Sequence, residues 1–235
     1  MNNMQIANEP GLNPECIRVL SWNVMKQAKA VLNRDLGGFS SQLDLALLQE
    51  VHVEGRGLHH FNEGWHRSFA PGFRLPGRTT GVMTLSNAGH RSENCYIHPE
   101  PLLRTPKAAN LTTYGLEETD AQLLVINLHA INFSLGMRVY RRQLTDLLNH
   151  MDNHEGPVIF AGDFNAWHDL RRQLLDNAVL QHGLHEVEFE EDNRTRVFGR
   201  HLDYMFVRGL DVLEARSHHS DGSDHNPLLA TVRLR

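Results

Sequence analysis

Cysteine is scarce in this chain of 235 residues. Cys16 and Cys95 are the only two, and their separation does not match the spacing of metal ligands. A disulfide framework is therefore implausible, and we expect a reducing, cytoplasmic compartment. Long apolar runs are also missing, since none approaches the roughly 20 residues that a helix needs to span a bilayer. We expect no membrane span, and the polar N-terminus shows no signal-peptide pattern.

Lysine is nearly as rare, because Lys26, Lys29 and Lys107 are the only three among 23 basic residues. The net charge of −5 argues against a protein whose main task is to coat nucleic acid without specificity. It does not exclude an enzyme that contacts a few phosphates, and no obligate protein partner is evident. With 40% hydrophobic residues, the chain can bury a substantial core. We predict a flexible tail over residues 1–15 and a single domain over residues 16–235.

The most informative stretch runs from residue 156 to residue 167. Its apolar run predicts a buried strand that stops at Gly162, after which Asp163 and Asn165 follow one residue apart. Strand side chains alternate, so these two point to the same face. A carboxylate beside a carboxamide can orient a water molecule and stabilise developing negative charge. A simple Asp/Asn turn explains the pattern equally well.

The same pattern recurs along the chain. Three further apolar runs end at Asn23, Glu50 and His129, each of which in isolation has an ordinary structural explanation. Later segments add two acids and a histidine close to strand starts: Asp203, Asp224 and His225. Corresponding strand ends gather at one edge in α/β folds, where ligands bind. We predict that these side chains form one site in a mixed fold of sheets covered by helices.

Two amphipathic helices are predicted to cover the sheets. The first follows Ser134, a suitable cap, and its apolar face consists of Met137, Tyr140, Leu144, Leu147, Leu148 and Met151. The second covers residues 167–180, with Trp167, Leu170, Leu174 and Ala178 facing inward.

Several carboxylates at one edge would repel one another and raise their pKa values unless a cation is present. Oxygen ligands from Asn23, Glu50 and Asp224 suit Mg²⁺ or Mn²⁺, whereas no set of thiolates or histidines suits a dedicated zinc site. His225, oriented by Asp203, would then act as an acid or base near neutral pH. Together these residues predict metal-assisted hydrolysis of a phosphoester.

Candidate phosphate contacts lie outside these strand ends. Arg104 and Lys107 belong to a basic bend before a predicted strand and can bind phosphate, although exposed surface charge is the commoner explanation. Asn132, in the loop after His129, is a third candidate. The expected partner is a phosphoester substrate, with nucleic acid among the candidates.

Six short motifs in order resemble the endonuclease/exonuclease/phosphatase superfamily, which includes pancreatic deoxyribonuclease, abasic-site endonucleases, sphingomyelinases and inositol-polyphosphate phosphatases. They are Ser21-Trp22-Asn23, Gln49-Glu50, Asn127-Leu128-His129, Gly162-Asp163-Phe164-Asn165, Leu202-Asp203-Tyr204 and Ser223-Asp224-His225. The resemblance runs from about residue 17 to residue 234. The segments 129–136 and 161–167 are further similar to the bacterial YafD-like branch.

The resemblance implies a four-layer α/β sandwich, in which two mostly antiparallel sheets pack face to face between flanking helices. It also implies roles for the residues at the site. Glu50 would be the main metal ligand, with Asn23 and Asp224 nearby. Asp163 would orient or deprotonate the attacking water, and Asn165 would hold the phosphoryl group. The His225–Asp203 pair would act as acid, base or phosphate contact, with His129 as the second histidine at the scissile phosphate.

The chain departs from the deoxyribonucleases in one respect, because no glutamate in residues 74–86 is available to partner His129. Tyr114 is only a weak counterpart of the tyrosine of abasic-site endonucleases.

From the full set of strand-end residues, we expect a divalent-metal-dependent phosphodiesterase or nuclease. A phosphomonoesterase for a small metabolite or lipid head group is the alternative, and a non-catalytic binding module on the same scaffold is a further one.

Overall fold

Two six-stranded β-sheets and three α-helices make up the fold in the computed structural model, which describes residues 10–55, 57–101, 105–134 and 136–235. The helices are α1 (Ala30–Ser40), α2 (Arg138–Leu148) and α3 (Asp169–Gln181). Short 3₁₀ helices cover Met25–Gln27, Leu58–Phe61 and Asn149–Asn153. No described helix is long and apolar enough to cross a membrane.

The strands follow in chain order, and most of them belong to the two large sheets. They are β1 (Ile17–Asn23), β2 (Leu45–His52), β3 (His66–Leu75), β4 (Arg78–Ser86), β5 (His90–Pro99), β6 (Pro106–Gly115), β7 (Gln122–His129), β8 (Val158–Asp163), β9 (His185–Glu186), β10 (Arg196–Val197), β11 (Arg200–His201), β12 (Asp203–Arg208), β13 (Leu210–Ser217) and β14 (Leu228–Leu234). Strands β10 and β11 form a separate small hairpin.

Each large sheet contains one parallel pair among antiparallel neighbours. The first sheet has the order β13-β14-β1-β2-β4-β3, and β1 is parallel to β2. The second has the order β5-β6-β7-β8-β12-β9, and β7 is parallel to β8. In the second sheet, Asp163 is in register with His129 on one side and with Asp203 on the other. The predicted strand-end residues of this sheet therefore lie next to one another.

The core is layered. Aliphatic residues of both sheets, including Val19, Leu47, Val125 and Ile159, form one buried cluster between them. A second cluster lies between the other face of the second sheet and helices α2 and α3. A third joins α1 to the first sheet. The predicted four-layer sandwich of two mostly antiparallel sheets is confirmed, and burial of β7 and β8 on both faces explains their continuous apolar sequences.

The predicted apolar face of α2 is confirmed, whereas that of the next helix is confirmed only in part, because Leu174 and Ala178 pack partly buried against the core but Leu170 does not. Leu170 is 60% exposed, and the buried residues of α3 are Arg171, Leu175 and Val179. The helix begins at Asp169, after His168, whose ring accepts a hydrogen bond from the backbone of Arg171. The buried face of α3 is shifted by one residue from the predicted face because the guanidinium of Arg171 lies inward. Hydropathy cannot predict a buried arginine. Ser134 does not cap α2, because its hydroxyl donates to the carbonyl of Gly136.

The flexible tail predicted for residues 1–15 does not match the part of it that the structure describes. Leu12 is buried, its backbone N–H donates to the carbonyl of Gly115, and its carbonyl accepts from Glu117. Residues 1–9 lie outside the described part of the chain. The pairing of β1 with β14 supports our proposal that residues 16–235 form a single domain.

Candidate active site

A glycine allows the two central strands of the second sheet to approach closely. Gly162 has φ +143°, and a Cβ atom built there would lie 2.0 Å from the carbonyl oxygen of Leu128 on β7. A side chain at this position would therefore force β8 away from β7. The close approach brings Asp163 beside His129, with Oδ2 3.5 Å from Nε2.

The turn after β8 orients both polar groups of the Asp163-Phe164-Asn165 motif. Asn165 adopts a left-handed backbone conformation with φ 48°, and its N–H donates to Oδ1 of Asp163 at 3.0 Å. Its side-chain amide donates to the carbonyl of Ala130 at 3.0 Å. Both predicted features are thus present: the local Asp/Asn turn, and the convergence of strand-end side chains at one edge of the sheets, which we call the rim. Asp163 also accepts a hydrogen bond from Nδ2 of Asn23 at 3.1 Å, which crosses from the first sheet to the second.

His225 and Asp203 form a buried pair. Nδ1 of His225 lies 2.7 Å from Oδ2 of Asp203. The carbonyl of His225 accepts from the indole of Trp22 at 2.8 Å, which fixes the backbone of the histidine. Burial alone would lower the pKa of His225, but the carboxylates of Asp203 and Asp163 raise it to about 10. The geometry therefore favours an imidazolium that donates to Asp203.

The pKa values of Asp163 and His129 shift in opposite directions. Burial raises the pKa of Asp163 to about 6, and Asp203 adds to the effect. Burial lowers the pKa of His129 well below its usual value, and the cations of Lys107, His225 and Lys26 add to that shift. A neutral histidine and a weakly acidic carboxyl group therefore lie side by side.

Glu50 lies at a bulge of β2, where the register with β4 shifts between Leu48 and Val51. Its φ of 52° is unusual for a residue with a side chain, and such strain is concentrated at functional sites. Oε2 lies 3.0 Å from Nζ of Lys26, and Oε1 lies 3.7 Å from Nε2 of His129. Lys26 belongs to the short Met25–Gln27 turn, all three residues of which have positive φ.

A lysine lies against His129, the histidine for which the sequence offered no glutamate partner. Nζ of Lys107 is 2.7 Å from Nε2 of His129. Both residues line a cavity of about 310 Å³ together with Lys26, Glu50 and Asn132. The remaining lining residues are Gly72, Phe73, Thr80, Gly81, Val82, Glu100, Thr105, Pro106, Ala108 and Phe133. The cavity is thus charged where it meets the rim and contains two aromatic side chains.

Glu100 is a site residue that the sequence did not reveal. Its carboxylate is 1% exposed and accepts hydrogen bonds from the backbone of Asn132 and Phe133 and from the hydroxyl of Thr105. It thereby fixes the loop that follows His129 at the wall of the cavity. No strand or helix pattern in its surroundings signals this position.

Arg171 is a second residue near the site that the sequence did not reveal. Its guanidinium is 1% exposed and donates to the carbonyls of Ile131, Asn132 and Asn165. It also lies over the ring of Tyr140, 4.6 Å from the centroid. One buried cation therefore joins the loop after His129 to the loop after Asp163.

The remaining predicted residues are more peripheral. Asp224 is exposed, and its carboxylate accepts from the hydroxyl of the preceding Ser223 at 3.2 Å. Asn132 lines the cavity, and its side-chain oxygen accepts from the indole of Trp167 at 2.9 Å. Arg104 lies outside the described residues.

A divalent cation fits the chemistry of this rim. Asp163 carries a buried carboxylate next to that of Asp203. Burial makes the charged form of Asp163 costly and raises its pKa, and a cation bound nearby would offset part of that cost. Among the described residues, Asp163, Asp203 and His225 form one group whose ligand atoms lie within 4.8 Å of one another. Metal binding by His225 through Nδ1 would disrupt its pair with Asp203. A ligand set that leaves this pair intact would begin with the carboxylate of Glu50 at the cavity, and hard oxygen donors favour Mg²⁺ or Mn²⁺.

Comparisons with known proteins point to one family. Residues 20–225 match the model of the endonuclease/exonuclease/phosphatase family. A UPF0294 protein of Klebsiella pneumoniae (strain 342) is 42% identical over 226 residues, which cover 95% of this chain and 84% of that protein.

Two solved structures share the fold at low sequence identity. The endonuclease/exonuclease/phosphatase from Beutenbergia cavernae DSM 12333 superimposes with a TM-score of 0.76 at 18% identity, covering 94% of this chain and 72% of that one. Danio rerio TDP2 in complex with a single-stranded DNA product superimposes with a TM-score of 0.68 at 17% identity, covering 93% and 99%. The chain belongs to the endonuclease/exonuclease/phosphatase family, which includes metal-dependent nucleases and phosphatases.

Proposed function

We propose that this protein hydrolyses phosphodiester bonds with the help of a divalent metal ion, as a phosphodiesterase or nuclease. The observation that carries the proposal is the convergence of Asp163, His129 and the His225–Asp203 pair at one rim, with Glu50 at the adjoining cavity. Each of the three groups needed for phosphoryl transfer to water has a candidate there. They are a metal-binding carboxylate, a group to handle the water and a proton donor.

Glu50 would be the principal metal ligand, with Asn23 and Asp224 as the others. Mg²⁺ or Mn²⁺ bound there would polarise the phosphoryl oxygen and offset its charge. Lys26, which now pairs with Glu50, would be free to contact the substrate once a metal takes that carboxylate.

Asp163 would orient or deprotonate the attacking water. Its pKa of about 6 is closer to neutral than that of an ordinary aspartate, which suits a group that must accept a proton near pH 7. Asn165 would hold the phosphoryl group. Its amide has two N–H bonds, and Ala130 takes one of them, so the second can donate to an oxygen of the substrate.

His225 would donate a hydrogen bond or a proton through Nε2. As an imidazolium it carries a proton on both nitrogens, and Asp203 takes the one on Nδ1. His129 would lie at the scissile phosphate together with Lys107, which supplies the positive charge. We propose Lys107, Arg104 and Asn132 as further phosphate contacts.

The test is hydrolysis of bis(p-nitrophenyl) phosphate with Mg²⁺, Mn²⁺ or EDTA. We expect metal-dependent cleavage in the wild type and a loss of at least roughly 100-fold in Asp163→Asn, in line with removal of one acid–base group. Asp152→Asn, which removes the same charge from an exposed carboxylate on the 3₁₀ helix after α2, should retain full activity. Equal activity of Asp163→Asn and the wild type would refute the assignment of the site.

A phosphomonoester substrate is the second candidate, favoured by the two ammonium groups of Lys26 and Lys107 at one small cavity. A monoester carries one more negative charge than a diester, and two cations would compensate it. The ratio of rates on bis(p-nitrophenyl) phosphate and p-nitrophenyl phosphate separates the two candidates. A higher rate on the monoester would make the protein a phosphatase of small phosphorylated molecules.

A structural neighbour supports nucleic acid as one substrate class, since the structure of Danio rerio TDP2 contains a single-stranded DNA product. A non-catalytic binding module is disfavoured because each proposed catalytic residue type is present in the chain. Cytoplasmic localisation stays a prediction, and the free state of both cysteines is compatible with it.

A further inference from the structure

The small hairpin of β10 and β11 carries an aromatic residue at its tip. Val197 pairs with Arg200, so that Phe198 and Gly199 form a two-residue turn. The side chain of Phe198 is 85% exposed, more than any other large hydrophobic side chain of the described residues. The fold therefore gains almost no hydrophobic stabilisation from this ring.

The backbone at Phe198 is also unfavourable. Its φ is 50° and that of Gly199 is 79°, the pattern of a hairpin turn with positive φ at both central residues. Asn, Asp and Gly adopt this conformation readily, whereas a bulky residue at such a position is an outlier. An exposed phenylalanine in a turn suited to asparagine contributes nothing evident to stability, so a role in binding is the natural explanation.

The hairpin lies beside the proposed active site. At its base, the hydroxyl of Thr195 donates to the carbonyl of Asp224 and accepts from the N–H of Asn226. At its tip, the ring of Phe198 lies 6.1 Å from that of Trp167, centroid to centroid. Trp167 in turn donates to Asn132 at the cavity. Both ends of the hairpin are therefore connected to loops that carry site residues.

Arginines flank the tip. Arg196 is exposed and forms no ion pair with any described residue, whereas Arg200 pairs with Asp169 at the start of α3. The tip thus combines a flat apolar ring with an uncompensated cation, although the chain as a whole has a net charge of −5. Proteins bind single-stranded nucleic acids with such a combination, because bases stack on aromatic rings while arginine contacts the backbone.

We propose that Phe198, with Trp167 behind it, stacks an unpaired base next to the scissile phosphodiester, and that Arg196 contacts the neighbouring phosphate. The substrate class is then single-stranded nucleic acid or an unpaired end. This inference rests on the proposed phosphodiesterase function for the position of the cleaved bond. Bases inside a duplex are already stacked on one another and cannot occupy the ring face without being unpaired.

The test is binding of labelled oligonucleotides measured by fluorescence anisotropy. All protein variants carry Asp163→Asn, so that the probe is not hydrolysed, and all samples contain Mg²⁺. The probes are an oligothymidylate, a strand of the same length made only of abasic sites, and a duplex of that length. Because the two single strands carry the same backbone charge, their difference in affinity measures the contribution of the bases.

We expect the oligothymidylate to bind more tightly than the abasic strand and the duplex. Phe198→Asn should weaken binding of the oligothymidylate by roughly 5- to 100-fold, the range for loss of one stacked base, and leave binding of the abasic strand unchanged. This variant should fold at least as well as its parent, because asparagine tolerates the left-handed turn. Leu180→Ala removes a 71% exposed side chain at the end of α3 and should change neither affinity.

Equal affinity of the parent for the thymidylate and abasic strands would overturn the proposal, as would undiminished binding by Phe198→Asn or a preference for the duplex. The outcome is separable from that of the proposed function. If phosphodiester hydrolysis is absent but base-dependent binding is lost with Phe198, only the catalytic proposal fails. If hydrolysis is present and binding ignores the bases, only the stacking proposal fails.

Discussion

At the scale of one residue, Asp163 shows how a group that we propose for catalysis can weaken the fold that holds it. Its carboxylate is buried, and its pKa rises from 3.8 to about 6. Between these two values, the folded chain binds the proton more tightly than the unfolded chain does. Protonation of Asp163 therefore stabilises the fold at low pH, and this contribution is lost as the pH rises through 6.

We predict that Asp163→Asn removes this part of the pH dependence. Between pH 4.5 and pH 7.5 in EDTA, the free energy of unfolding of the wild type should fall relative to that of the variant by about 1–3 kcal/mol, as a shift of about two pKa units implies. Urea unfolding at both pH values measures it. The change with pH is the informative quantity, because any fixed effect of the new amide on its contact with Asn23 cancels.

Asp152→Asn is the matched control for this measurement. The side chain of Asp152 is 60% exposed, so the free energy of unfolding of this variant should change with pH as that of the wild type does. A constant difference between Asp163→Asn and the wild type across this pH range would contradict the prediction. Together with the expected loss of hydrolysis, the result would place Asp163 among residues that serve activity at the expense of stability.

At the scale of secondary-structure elements, the loop after β7 and the loop after β8 depend on each other. Arg171 lies beneath both of them, and its guanidinium donates to carbonyls on each. A carbonyl buried without a donor is destabilising, so removal of this one side chain affects several backbone groups at once. The loop that follows His129 and the loop that carries Asn165 would then lose their common support.

We predict that Arg171→Met destabilises the protein by about 2–4 kcal/mol, because charged hydrogen bonds to buried acceptors are lost. It should also lower hydrolysis, and Arg171→Lys should restore only part of both, since an ammonium cannot reproduce the planar fork of guanidinium. Urea unfolding and the diester assay measure the two effects. Arg142→Met on the exposed face of α2 is the control and should change stability by no more than about 0.5 kcal/mol. If Arg171→Met matches this control, the loops do not depend on the guanidinium.

The sequence predicted elements well where burial produced a clear pattern. Strands β1, β2, β7 and β8 are buried along nearly their whole length, and their apolar runs end at the residues predicted for the site. Strand β5 is largely exposed, and β13 is interrupted by a bulge between Val212 and Glu214, so neither shows a regular alternation. The inward face of α3 was predicted only in part, because its buried position 171 is an arginine.

The site was predictable in part for the same reason. His129, Asp163 and Asp203 meet because they end or begin adjacent strands, and strand ends can be read from sequence. Glu100, Arg171 and the contact of Lys107 with His129 depend on tertiary packing between distant segments. No local periodicity encodes such contacts.

At the scale of the whole molecule, the candidate site is built from residues of both sheets. Asn23 and Glu50 come from the first sheet, whereas His129, Asp163 and Asp203 come from the second. Buried hydrogen bonds cross between the sheets, from Asn23 to Asp163 and from Gln49 to Asn127. A metal ion held by residues of the first sheet would also compensate the carboxylates of the second.

We predict that Mg²⁺ raises the melting temperature of the wild type, because a ligand that binds only the folded state stabilises it. The gain is about 2.7 kcal/mol at 100 times the dissociation constant. Glu50→Gln should abolish most of this gain, while Asp211→Asn, at a partly exposed carboxylate on β13 that pairs with Arg235, should retain it. Thermal unfolding with Mg²⁺ and with EDTA gives the comparison. An equal gain in Glu50→Gln and the wild type would show that the ion binds elsewhere.

The hydrogen bond from Asn23 to Asp163 joins the two sheets, and the proposed hydrolysis would depend on both of them. Because each sheet supplies only some of the proposed catalytic groups, a shift of one sheet against the other by about 1 Å would cost much of the activity. Turnover would then report the mutual alignment of the two sheets. Substitutions deep in the interface between them, far from any substrate, could silence the chemistry in a chain that still folds.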